Sequence, residues 1–133
     1  MSQAKKKPVE PLESAEQIRL AVAAAEDRKA EDLRVLHLAE VSDFTDHFLI
    51  MSGTNERQIE ALADGIYQRL RDAGVRPLHI EGRKNARWVL LDYGGDMVIH
   101  IFLEESRRFY ALERLWDDAP DVTAKFVDSY VDT

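Results

Sequence analysis

Residues 88–103 read WVLLDYGGDMVIHIFL, two alternating runs joined by Gly94-Gly95-Asp96. Glycine-rich turns between such runs mark a β-hairpin. This commits the chain to a sheet and fixes which side chains share a face, because successive strand residues point to opposite sides. With a three-residue turn, Tyr93 faces Met97, Leu90 faces His100 and Trp88 faces Phe102. Val89, Leu91, Tyr93, Met97, Ile99, Ile101 and Leu103 share a face that is apolar apart from one hydroxyl, so it belongs to the core. The opposite face carries Trp88, Leu90, Asp92, Val98, His100 and Phe102, a mixture of aromatic and polar groups.

The flanking segments supply the other layers. Ser14 followed by Gln17 fits a capping box, and Ile18, Val22 and Ala25 recur at helical spacing, so a first helix is predicted over residues 15–28. Residues 33–41 are β-rich and read as a strand. Phe48 to Met51 is apolar without alternation, as expected of a central strand covered on both faces. Thr54 or Asn55 then caps a long helix whose stripe is Ile59, Leu62, Ala63, Ile66, Tyr67 and Leu70; Gly74 follows its end and Pro77 blocks continuation. Leu78 to Glu81 reads as a short strand. Glu104 and Glu105 open a last helix, where carboxylates suit the N-terminal dipole, with Phe109, Leu112 and Trp116 placed on its buried stripe. The strand–helix–strand unit from Phe48 to Glu81 implies a right-handed parallel crossover, while the hairpin is antiparallel. The expected fold class is therefore α/β (α+β), a five-stranded mixed sheet with flanking helices packed mainly on one face. Residues 1–13, with Pro8 and Pro11, are expected to form a mobile tail. Residues 14–116 form a single α/β domain, and 117–133 an acidic segment that frays.

Composition narrows the functions. The 133 residues include no cysteine, which excludes disulfides, thiol nucleophiles and cysteine-bound metal centres. Net charge is −7, from 18 Lys and Arg against 25 Asp and Glu. Such a body is a poor ligand for phosphate backbones, so no sequence-specific nucleic-acid binding is expected. It suits a basic protein surface. No apolar run approaches the ~20 residues of a membrane helix, and the N-terminal lysines precede no apolar stretch. A soluble, cytoplasmic protein is expected.

The candidate chemistry is sparse. His37, His47, His79 and His100 have no paired metal-ligand spacing, and neither a metal nor a cofactor is expected. Ser52-Gly53-Thr54 precedes a helix N-terminus and could hold an anion, but a turn with an N-cap explains it as well, and phosphate-loop fingerprints are absent. Asp43, Asp46 and His47 read as turn formers. Arg108 reaches Glu104 and Glu105 at helical spacing, either as a solvated face or as a charged rim. The mixed hairpin face has two readings: a second layer buries it, or it is an open surface for a partner. Three helices are few for both faces of five strands, which favours docking.

DHFLIMSGTNERQ, LHIEGRKNARWVLLDYGGDMVIHIF and EESRRFYALERLW, in that order and spacing, resemble the Iojap-like ribosomal silencing factors. The resemblance spans Leu33 to Trp116. It departs at Gly94-Gly95-Asp96, one residue longer than the usual turn, and at His47, where an aromatic hydroxyl is common. It implies a nucleotidyltransferase-like topology without catalysis. It also implies binding to the large ribosomal subunit on its protein number fourteen, which blocks joining of the small subunit and lowers translation. Trp88, Asp92, His100, Phe102 and Tyr110 are the expected contacts, with Glu104, Glu105 and Arg107 as a charged rim. A nucleotide-binding enzyme built on Ser52 and Gly53, or a self-associating adaptor acting as a homodimer, are the alternatives.

Overall fold

A computed structural model describes residues 12–127. The hairpin has the register its turn dictates. In β4 (Trp88–Asp92) and β5 (Val98–Leu103), Trp88 pairs with Phe102 and Leu90 with His100, and the Tyr93 N–H donates to the Met97 carbonyl at 3.0 Å. β2 (His47–Gly53) runs parallel to β5, and β1 (Glu31–His37) is antiparallel to β2. β3 (His79–Glu81) closes the other edge, giving the order β1-β2-β5-β4-β3. β3 runs in the same direction as β2, as the crossover requires, but β5 and β4 lie between them. The neighbour that runs parallel to β2 is thus β5.

One face of the sheet packs against α1 (Ser14–Asp27) and α2 (Glu56–Asp72). Its core joins Leu49, Met51, Val89, Leu91, Ile99 and Ile101 to Ile18, Leu62 and Ile66. α2 starts where Asn55 Oδ1 accepts the Gln58 N–H at 2.9 Å, an N-cap of the expected kind. The capping box predicted for α1 does not form. Glu13 is the N-cap and contributes no side-chain bond. The Ser14 hydroxyl instead donates to Asp96 Oδ1 at 2.6 Å, and Gln17 Nε2 to Asp96 Oδ2 at 3.1 Å, so both residues tie α1 to the hairpin turn.

Further expectations are corrected. β1 ends at His37, not Val41, because the Val41 and Ser42 amides both turn back onto the Leu38 carbonyl. The last helix is interrupted. α3 (Glu104–Tyr110) and α4 (Leu112–Leu115) meet at Ala111, whose φ of 48° and ψ of 49° are left-handed. The break removes Phe109 from the buried stripe and leaves it 80% exposed, while Leu112 remains buried.

The chain from Asp117 does not fray over the described residues. His37 N–H donates to the Pro120 carbonyl at 2.9 Å, Val122 N–H to the Val35 carbonyl at 2.8 Å, and Val35 N–H to Thr123 Oγ1 at 2.8 Å. This segment lies antiparallel along the free edge of β1, and Val127 enters the core. The packed unit thus extends past the boundary expected at residue 116. The predicted mobile tail lies, except for Leu12 and Glu13, outside the described residues. Among the described residues no helix is long and apolar enough to cross a membrane.

Candidate functional site

The mixed hairpin face is partly covered. Leu112 and Ala119, with Trp116 at their border, close over Leu36, Phe48, Ile50, Val98 and Phe102, forming a second apolar layer. The cover thins over β4, where Trp88 and Leu90 are only partly buried. This face is therefore covered over β1, β2 and β5 and partly accessible over β4.

A seam of rings runs between the halves. Phe48 meets His100 edge-on at 4.6 Å between centroids. Trp88 lies 4.8 Å from Phe102 and 4.8 Å from Tyr110, and Tyr110 meets Phe109 edge-on at 5.1 Å. Phe102 is fully buried, whereas Tyr110 is 50% exposed. The seam thus passes from core to solvent through Trp88. Beside it Arg87, Glu105, Ser106, Phe109 and Tyr110 line a groove with Trp88 at its wall. Gly82 lets the preceding loop approach: at φ 86° a Cβ there would strike the Trp88 carbonyl oxygen.

His100 is 4% exposed. The Trp88 indole N–H donates to its Nδ1 at 3.1 Å, which assigns the ring as neutral with its proton on Nε2. Nε2 has no hydrogen-bond partner among the described residues. Burial pushes the imidazole pKa down to about 4, consistent with that tautomer.

Arg107, expected at the rim, is instead 7% exposed. Nε and Nη2 donate to Glu113 Oε2 at 2.9 and 2.6 Å, and Nη1 donates to the Asp32 carbonyl at 2.6 Å and to Ser52 Oγ at 2.9 Å. Three parts of the fold, the start of β1, the end of β2 and α4, converge on one guanidinium. Ser52, the residue a nucleotide-binding reading would use, is thus engaged by Arg107. Gly53 is tight against the Ile59 side chain.

The remaining expected contacts are dispersed. Asp92 Oδ1 accepts the Gly94 N–H at 2.8 Å, so this carboxylate shapes the hairpin turn. Glu104 is exposed, and its carboxylate beside Glu31 raises the Glu31 pKa. Glu105 borders the groove. Trp88, Tyr110 and Glu105 come together at the surface; His100 and Phe102 lie beneath them; Asp92, Glu104 and Arg107 do not join the patch. Phe109 was missed, since helical spacing alone put it inside. Among the described residues no group of His, Cys, Asp or Glu converges to hold a metal ion.

Fold and site together define a small α+β domain with an aromatic surface between β4 and α3. The family model described as "Ribosomal silencing factor during starvation" matches residues 11–132. The ribosomal silencing factor of Halalkalibacterium halodurans is 39% identical over 118 residues, covering 89% of this chain and all of that protein. A crystal structure of a Chromobacterium violaceum protein superposes with a TM-score of 0.77 at 34% identity, covering 80% of this chain and 88% of that one. A Mus musculus protein named for mitochondrial assembly of the ribosomal large subunit is 33% identical over 102 residues, 74% of this chain but 44% of that longer protein. The chain belongs to the ribosomal silencing factor family.

Proposed function

We propose that this protein binds the large ribosomal subunit on its protein number fourteen and, seated there, keeps the small subunit from joining. Translation falls for want of joined ribosomes, and the protein acts in the cytoplasm by occupancy alone, with no turnover and no cofactor. The observation that carries this reading is the aromatic patch of Trp88, Tyr110 and Phe109, which leaves two rings facing solvent beside a groove. Trp and Tyr are the residue types that dominate binding energy at interfaces. Net charge −7 gives a basic ribosomal protein a favourable encounter. The name of the mouse relative supports the large subunit as the side engaged.

Co-sedimentation with purified subunits, with joining followed in parallel, tests it. The wild type should pellet with large subunits and inhibit joining. Folded Trp88→Ala should lose about 2 kcal/mol of binding and inhibit less. Wild-type protein that stays in the supernatant at micromolar large subunit would sink the proposal.

A further inference from the structure

His100 lies too deep to touch a partner, yet its Nδ1 accepts the indole N–H of the patch's central ring. An indole can turn about its two side-chain torsions, and its long edge must face a partner in a single orientation to act as an anchor. Tilted ring contacts with Phe102 and Tyr110, at interplanar angles of 31° and 45°, brace the indole but do not by themselves fix where its N–H points. The Nε1–H to Nδ1 bond removes that freedom. The acceptor is held in turn: His100 sits on β5 opposite Leu90, flanked by the Phe48 ring on one side and Trp88 on the other. An apolar residue of similar volume would fill this place equally well, and would spare the chain a buried Nε2 without a partner. The polar choice therefore needs a reason beyond packing.

We propose that His100 is a positioning residue for docking, whose unprotonated Nδ1 fixes the Trp88 indole in the orientation that the partner reads. The inference rests on the docking role proposed for the aromatic patch. Two substitutions separate it from simple packing. His100→Leu fills the volume without an acceptor, and His100→Asn places an amide oxygen near the position of Nδ1. The Trp88 indole N–H, assigned by its loss in Trp88→Phe, reports the bond through its proton resonance and its exchange with solvent. In the wild type and in His100→Asn that proton should exchange slowly. In His100→Leu it should exchange freely, and large-subunit affinity should fall about tenfold with the fold intact by circular dichroism. His100→Asn should recover most of that loss. Wild-type affinity in folded His100→Leu, beside a defective Trp88→Ala, overturns the positioning role while leaving the docking role standing. Free exchange of the wild-type indole proton overturns it as well. Unchanged binding by Trp88→Ala removes the docking role and this inference together.

Discussion

Arg107 and Glu113 face each other across the left-handed residue Ala111, six positions apart, with two guanidinium nitrogens on a single carboxylate oxygen. The pair fastens α4 to α3 at the point where the helix breaks. Breaking a buried pair is costly because the surviving charge stays behind, although Glu113 is partly solvated here. Arg107→Met should destabilise the protein by about 2–3 kcal/mol. Glu113→Gln, which keeps an acceptor, should cost about 1 kcal/mol. Urea midpoints of the two variants measure the difference, and equal midpoints would contradict the latch.

Two aromatics on the same seam should respond in opposite ways. Phe102→Ala opens a cavity in a fully buried site and should cost about 3–5 kcal/mol of stability. Phe109→Ala, at an exposed position, should change stability by under about 0.5 kcal/mol while weakening large-subunit binding. Thermal melts and co-sedimentation, run on both variants, separate core from surface along one line of rings.

Acid should destabilise the fold through the buried His100 and the half-buried His47. His100 titrates near 4 when folded and near its ordinary value of about 6.5 when unfolded. Between those values the unfolded chain takes up a proton that the folded chain refuses, so stability falls as pH drops through that window. One such group contributes up to about 1.4 kcal/mol per pH unit. His47, lowered chiefly by burial, acts in the same direction. Urea titrations at pH 7, 6 and 5 should show the decline, and His100→Leu should flatten it. A flat wild-type profile would refute the assignment.

Thr123 is fully buried and accepts the Val35 N–H. Thr123→Val preserves shape and orphans that amide, at a cost of about 1–3 kcal/mol. Hydrogen exchange should show the loss of protection concentrated in β1. Protection spread evenly over the sheet would mean the bond is dispensable.

How much of this was legible in the sequence depends on range. The hairpin register followed from one turn and the alternation around it, because short connections leave few alternatives. The stripe of α2 and its Asn55 cap were equally local. The cover over the second face was not. It is made by four helical residues after an alanine in a conformation that alanine seldom adopts, and by an acidic, proline-bearing segment without alternation. Nothing local marks either as a layer. Arg107 was misplaced for the same reason. An arginine near glutamates on a helix reads as a surface ion pair, and only the ends of two distant strands reveal it as buried. Ser14 and Gln17 matched a capping pattern, but Asp96, 82 and 79 positions away, competed for both side chains and won.

The segment that closes the edge of β1 carries a consequence for the order in which the molecule is made. β1 leaves the synthesising ribosome early, and the residues that cover its outer edge, Pro120 to Thr123, are translated more than eighty positions later. Until they arrive, the nascent sheet presents an open row of backbone donors and acceptors to any neighbouring chain. A message truncated before Pro120 would release a product with that row permanently open, prone to stacking with its own kind.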